Sequence, residues 1–158
     1  MKKQQFIVLL LFTQSIIGQV SEAKKIEYVS VDNDVVQIEI DTLKYKPTLF
    51  YGITYIFRND ETDESISIDV SNIKARDTIN NFERSRSKGG FLDLGKVDGL
   101  RTITYKQNVN LKGKDYISFS FGKLYEYKMV IFNAMVPSDD FFKNEETYKK
   151  YARSMKLK

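Results

Sequence analysis

Residues 100–158 read LRTITYKQNVNLKGKDYISFSFGKLYEYKMVIFNAMVPSDDFFKNEETYKKYARSMKLK. Residues 124–136 begin by alternating and end nearly all apolar, which is typical of a central strand covered on both faces. Pro137 ends that strand, and residues 138–140 are interpreted as a loop. Asn144 is the predicted N-cap of a helix over residues 145–155. The apolar residues of that helix recur at helical spacing, which predicts a face packed on the sheet: Tyr148, Tyr151, Ala152 and Met155.

Two more strands are predicted within residues 100–158. Residues 100–106 follow the turn dipeptide Asp98-Gly99, and residues 116–121 alternate before Gly122-Lys123, which is interpreted as a tight turn. Two neighbouring rings are expected to fill the corner between the last strand and the helix: Phe141 and Phe142.

The first part of the chain adds two hairpins and a second helix. Alternating or aromatic-rich runs predict these hairpins, from residues 24–31 with 35–40 and from residues 49–58 with 65–73. Asp77 is the predicted N-cap of a short helix over residues 78–87, which Gly89-Gly90 closes. The sequence therefore predicts an α+β fold, a mainly antiparallel sheet of about six to eight strands with two helices packed on it.

Residues 1–23 have the organisation of a secretory signal peptide. Lys2 and Lys3 form a basic start, residues 6–12 are an apolar run, and Ser21 and Ala23 have the spacing that signal peptidase accepts. A retained N-terminal anchor is the alternative, although the run is shorter than the ~20 apolar residues that span a membrane. No Cys follows the run, which excludes a lipid-modified lipoprotein. We expect a single domain over residues 24–158 and a periplasmic or secreted protein.

The composition excludes several classes of chemistry. The chain contains no Cys and no His, and its net charge is +4. Without these residues, Ser-His-Asp and Cys-His nucleophilic systems and the usual zinc, copper and haem ligand sets are excluded. A hydrolase built on a Ser-Lys pair or on paired carboxylates is the remaining enzymatic alternative. We expect no enzymatic activity, no cofactor and, because the charge is only mildly basic, no nucleic-acid partner.

The end of the chain resembles a known family. A strand after Gly-Lys (GKLYEYKMVIFNAMV), a break with aromatic residues (PSDDFF) and a helix with an acidic start (NEETYKKYARSMKLK) are similar to the C-terminus of Mog1/PsbP-like domains. The tail Ser154 to Leu157 matches their Ser-x-x-aliphatic ending, and the resemblance covers roughly residues 65–158. It implies an α/β/α sandwich with an antiparallel sheet between helices. It also implies a binding or accessory module, with the partner left open.

Two regions are candidate partner-binding sites. Aromatic side chains surround Gly52, and they are Tyr45, Phe50, Tyr51 and Tyr55. Core packing is the alternative for these rings, because alternate residues of a strand point inward. Basic side chains surround the first predicted helix, and they are Arg76, Arg84, Arg86 and Lys88. A solvated helix face is the alternative there, and an anionic membrane surface is a less favoured partner than a protein.

A third feature is the acidic turn formed by Asp60, Glu61, Asp63 and Glu64. Clustered carboxylates are ligands for hard cations such as Ca²⁺. The turn is shorter than an EF-hand loop and lacks its Gly, so a solvated hairpin tip is the favoured interpretation.

These observations predict an exported, non-enzymatic accessory protein of PsbP-like type that acts through a protein partner. One alternative is a periplasmic immunity protein against an antibacterial toxin. Another is a carrier of a small apolar ligand or lipid, which requires an enclosed apolar cavity.

Overall fold

The computed structural model describes residues 24–31, 33–51, 54–72 and 91–158. These residues form two antiparallel sheets and one helix, α1 (Ser138–Ser154). The strands are β1 (Lys24–Val31), β2 (Asp34–Asp41), β3 (Lys46–Tyr51), β4 (Thr54–Asn59), β5 (Glu64–Ser71), β6 (Phe91–Val97), β7 (Leu100–Leu111), β8 (Lys114–Leu124), β9 (Met129–Pro137) and β10 (Lys156–Leu157). No helix among the described residues is long and apolar enough to cross a membrane.

The larger sheet has seven strands in the order β3-β4-β5-β9-β8-β7-β6. The antiparallel β5–β9 pair joins the two halves of the chain, with Ile66 opposite Ala134 and Ile68 opposite Phe132. Buried and partly exposed residues alternate strictly along β5, as its sequence predicts. The predicted antiparallel sheet is therefore confirmed, and its apolar last strand, β9, lies at the centre. The expectation that both faces of this strand are covered is wrong, because Ile131, Asn133 and Met135 on its outer face are partly exposed.

The core lies between the larger sheet, α1 and a three-stranded sheet of order β1-β2-β10. Alternate residues of β2 point into it, and Val36, Ile38 and Ile40 are fully buried. The ring of Phe141 stacks on that of Tyr148 with their centroids 5.5 Å apart. The opening hairpin was expected to belong to one sheet with the other strands. It forms a separate sheet instead, because the C-terminal strand β10 pairs with β2.

The helix α1 is longer than the sequence predicted. It begins at Ser138, directly after Pro137, so the interpretation of residues 138–140 as a loop and of Asn144 as the N-cap is wrong. Pro137 has backbone angles outside the helical region, and Asp139 and Asp140 in the first turn are favourable to the helix dipole. Only this helix occurs in the described part of the chain, and the second predicted helix, over residues 78–87, lies outside the described residues.

The turns of the β7–β9 unit also differ from the predicted ones. Asp98-Gly99 is a turn, as predicted, with both residues at positive φ. Gly122 and Lys123, however, lie inside β8, and the connection to β9 is the turn closed by a hydrogen bond from the Tyr125 N–H to the Lys128 carbonyl, 2.8 Å. A local sequence pattern cannot show whether the turn lies at residues 122–123 or at residues 125–128, because the burial of Lys123 depends on the distant end of α1.

The C-terminal tail is held by contacts on several sides. The Lys123 side chain is only 1% exposed, and its ammonium group donates to the carbonyl oxygens of Arg153 (2.6 Å) and Met155 (2.8 Å). The Leu157 N–H donates to the Tyr125 hydroxyl at 3.0 Å, and the Lys158 N–H to the Val35 carbonyl at 2.9 Å. A cation therefore satisfies the carbonyl groups that the end of a helix leaves without partners.

Candidate functional site

Of the described residues of the predicted aromatic site, Tyr45 belongs to the core and Tyr55 packs against it. Tyr45 is fully buried, its hydroxyl donates to the Glu64 carboxylate, and its ring meets that of Tyr151 edge-on at 6.0 Å. Tyr55 is half-buried and its ring lies 5.0 Å from that of Phe57. Tyr45 therefore offers no surface to a partner, because tertiary packing by α1 covers it.

The side chains of Phe50 and Tyr51 lie outside the described residues, and so do the four basic residues of the predicted patch, Arg76, Arg84, Arg86 and Lys88.

Three connections meet at one end of the larger sheet. They are the β4–β5 turn (residues 60–63), the β7–β8 turn around Gly113, and the junction of β9 with α1 at Pro137. The strand registers bring them together, because Asn59 lies opposite Glu64 and Tyr116 lies opposite Pro137. They enclose an open cleft of about 750 Å³, which we call the acidic cleft. Loops held at one end of a rigid sheet are a common position for binding sites.

Half of the residues that line the acidic cleft carry a carboxylate. Two lysines also line it: Lys114 lies 3.4 Å from Asp63, and Lys143 lies 3.8 Å from Asp140. The six carboxylates belong to Asp60, Glu61, Asp63, Asp115, Asp139 and Asp140. Negative charge is thus concentrated at one end of a chain whose net charge is +4.

This concentration does not form a metal site within the described residues. No three acidic side chains there are arranged so that they could hold a metal ion. Glu64, the last member of the predicted acidic turn, points into the core and is only 1% exposed.

Asp63, Lys114 and Tyr116 form a ridge at the border of the acidic cleft. The Tyr116 hydroxyl donates to Asp63 Oδ2 at 2.6 Å, and the Lys114 ammonium lies 5.3 Å from the centre of the Tyr116 ring. The hydrogen bond from Tyr116 and the nearby Lys114 hold the pKa of Asp63 below its ordinary value. Asp63 therefore stays ionised, and the same hydrogen bond raises the pKa of Tyr116, whose hydroxyl remains a donor.

A second cleft, of about 530 Å³, lies on the other side of this ridge. Met135 and Ser65 are cross-strand partners on the face of the sheet opposite to Ala134 and Val136, which belong to the core. We call it the apolar cleft. It is lined by Thr48, Ile56, Arg58, Asp63, Ser65, Leu111, Tyr116 and Met135. Asp63 lines both clefts, so they form one continuous surface around the end of the sheet.

The overall arrangement of strands and helix agrees with several solved structures. The solution structure of cyanobacterial PsbP (CyanoP) from Synechocystis sp. PCC 6803 superposes with a TM-score of 0.62 over 89% of this chain and 96% of that chain, at 17% identity. This chain has a PsbP-like fold. LpqN of Mycobacterium tuberculosis, described as involved in cell envelope biogenesis, matches with a TM-score of 0.58 over 85% of this chain and 91% of that chain, at 8% identity.

A Bacteroides thetaiotaomicron structure also has a TM-score of 0.62, at 11% identity, over 78% of this chain and 45% of that chain. No protein-family model matches the sequence, and no curated protein matches it. At these identities the comparisons support the fold alone.

A buried polar cluster lies inside the PsbP-like fold, behind the sheet end. The Glu64 carboxylate accepts from Tyr45 and lies 3.3 Å from the Lys44 ammonium, while the buried Tyr148 hydroxyl forms no hydrogen bond of normal geometry with a described residue. Burial raises the pKa of both Tyr45 and Tyr148, so both phenols stay protonated. Because Glu64 and Tyr148 are closed to solvent, a substrate cannot reach this carboxylate.

Sequence reasoning named Asp60, Glu61 and Asp63 as an acidic turn, and it missed the other residues that form the two clefts. The carboxylates were visible only as separate polar turns, and Leu111 lies between the two predicted strands over residues 100–106 and 116–121. The alternation along β9 contained a signal for the apolar cleft, because Met135 has the opposite parity to Ala134 and Val136. The pairing of β9 with β5 and β8 was needed to bring that position next to Ser65 and Tyr116.

Proposed function

We propose that this protein is an exported, non-enzymatic accessory protein that binds a protein partner at the end of its larger sheet. The observation that carries the proposal is the meeting of the acidic cleft and the apolar cleft at the ridge formed by Asp63, Lys114 and Tyr116. A surface that combines an apolar depression with fixed charges is typical of protein interfaces. The absence of Cys and His from the whole sequence supports a role in binding over nucleophilic catalysis.

Export is supported by the signal-peptide organisation of residues 1–23. The structural similarity to LpqN, which is described as involved in cell envelope biogenesis, agrees with a role outside the cytoplasm. CyanoP supports the assignment to PsbP-like accessory proteins through its fold. The first test of this part is a fusion of residues 1–23 to a reporter that is active only after export. A reporter that stays inactive would contradict it.

Binding of a protein is favoured over carriage of a small apolar ligand. A carrier encloses its ligand, whereas Leu111 at the apolar cleft is 46% exposed and the cleft is open to solvent. Immunity against a toxin is one form of partner binding, and it predicts that the partner is a toxin encoded by a neighbouring gene.

Site-specific cross-linking tests the position of the interface. A photoreactive phenylalanine analogue is placed at Leu111, and a matched control is placed at Leu94, which is 51% exposed on the edge strand β6. We expect a discrete cross-linked product from position 111 in cells of the source organism and none from position 94. Equal labelling from both positions, or no product from position 111, would refute partner binding at this end of the sheet.

A further inference from the structure

We infer that the partner presents a basic, amphipathic segment to this surface, with Lys or Arg side chains in the acidic cleft and apolar side chains in the apolar cleft. This inference rests on the proposed function and specifies the chemistry of the partner. The ridge formed by Asp63, Lys114 and Tyr116 separates the two clefts and belongs to both of them through Asp63. A segment that crosses the ridge therefore contacts both environments.

The charges that line the acidic cleft determine the sign of the charge that the partner must carry. Six carboxylates and two ammonium groups line the acidic cleft, so a cation entering it is attracted and an anion is repelled. The same repulsion opposes a nucleic acid and an anionic membrane surface. A bare metal ion is disfavoured as well, since no three acidic side chains in the described residues are arranged to hold one.

The apolar cleft requires that the partner also present apolar side chains. Leu111, Ile56 and Met135 present apolar surface that is still partly exposed, and covering it with a partner's side chain removes it from water. Arg58 also lines this cleft and is near enough to Asp63 to contribute to the lowering of its pKa. A partner's cation is repelled by Arg58 and is therefore directed across the ridge to the acidic cleft.

Short synthetic peptides with capped ends test this chemistry directly. Three probes are compared by fluorescence anisotropy: alternating Lys and Leu, alternating Glu and Leu, and alternating Lys and Gly. We expect saturable binding of the Lys-Leu peptide that weakens as the salt concentration rises through about 0.1 M. The Glu-Leu peptide should not bind, and the Lys-Gly peptide should bind more weakly because it cannot fill the apolar cleft.

Two variants assign the binding to the two clefts. Asp60→Asn with Glu61→Gln removes two charges from the exposed β4–β5 turn and should weaken the Lys-Leu peptide roughly tenfold at low salt. Leu111→Ser should weaken it severalfold, while the control Leu94→Ser on β6 should leave it unchanged. Unfolding midpoints of all variants are measured first, so that a loss of binding is not confused with a loss of folding.

Several outcomes would overturn the inference. They are failure of the Lys-Leu peptide to bind, equal binding of the Glu-Leu peptide, and affinity that is insensitive to salt and to the charge variant. A partner that still cross-links at position 111 in the Asp60→Asn, Glu61→Gln variant leaves the proposed function standing and refutes only the basic segment. The absence of any cross-linked partner refutes the proposed function itself.

Discussion

Lys123 is the residue whose substitution most directly tests how the end of α1 is held. Lys123→Met keeps a long, flexible apolar stem and removes the ammonium group. That group donates to the carbonyls of Arg153 at 2.6 Å and Met155 at 2.8 Å, and lies 3.3 Å from Asp98 Oδ2. The Lys123 side chain is buried, whereas the Asp98 carboxylate is 62% exposed.

The expected cost follows from these contacts. The Met155 carbonyl belongs to a fully buried residue, and a buried acceptor without its donor costs about 1–3 kcal/mol. Loss of a cation at a helix C-terminus adds up to ~2 kcal/mol in partly buried positions. Removing the buried charge recovers part of this, because its desolvation penalty disappears. We therefore expect Lys123→Met to lower the free energy of unfolding by about 2–4 kcal/mol.

Urea denaturation followed by circular dichroism measures this change. Asp98→Asn should cost less than ~1 kcal/mol, since the Asp98 carboxylate is itself largely exposed to solvent. The control Lys156→Met removes an exposed charge from β10 and should stay within about 0.5 kcal/mol. A Lys123→Met variant as stable as the wild type would refute the capping argument. An Asp98→Asn variant as unstable as Lys123→Met would show that the ion pair, and not the carbonyls, is the important contact.

The stability difference between the wild type and Lys123→Met should also depend on pH. Burial lowers the pKa of Lys123, with the nearby Lys156 acting in the same direction and Asp98 opposing it. Between this lowered pKa and the unfolded value of about 10.4, the unfolded chain binds more protons than the folded one. Wild-type stability should therefore rise relative to Lys123→Met as the pH increases through that window, and should show no such trend below it. A fall in wild-type stability relative to Lys123→Met over the same pH range would contradict this expectation.

Two further comparisons test the core next to the sheet end. Tyr148→Phe removes a buried hydroxyl without a normal hydrogen bond in the described part of the chain, so thermal denaturation should show unchanged or slightly raised stability. Tyr45→Phe removes the donor to the buried Glu64 carboxylate and should cost about 1.5–3 kcal/mol. A larger loss of stability for Tyr148→Phe than for Tyr45→Phe would refute this expectation. Phe141→Ala should cost about 3–5 kcal/mol, whereas Phe142→Ala, at a ring that is 65% exposed, should cost less than ~1 kcal/mol in urea denaturation. Similar costs at the two positions would mean that the buried stack of Phe141 on Tyr148 does not stabilise the corner.

Local patterns in the sequence were sufficient where each strand buries one face. The alternating run over residues 65–73 predicted β5, in which Ile66, Ile68 and Val70 are buried, and Asp98-Gly99 predicted a turn that adopts positive φ at both residues. Phe141 was correctly expected at the corner, while Phe142, the next residue around the helix, is 65% exposed and does not fill it.

Local patterns failed where a residue's environment comes from a distant segment. Gly-Lys at positions 122–123 resembles a turn, yet the chain continues as β8 because carbonyls from the end of α1 surround the Lys123 ammonium. The helix start was misplaced for a related reason. Pro137 was interpreted as a break on both sides, although a helix can begin directly after it.

The candidate site depends on such distant pairings at every position. Asp63 and Tyr116, whose side chains form the hydrogen bond of the ridge, are 53 residues apart, and each belongs to a different hairpin. Their meeting follows from the central strand β9, which pairs with β5 on one side and β8 on the other. Each acidic turn, considered alone, is an ordinary solvated loop. The register of β9 gathers these turns into one negative cleft and places exposed apolar residues across the ridge. The surface that the partner binds therefore exists only when β9 is correctly paired. A change in the register of β9 should abolish binding even if every charged residue is retained.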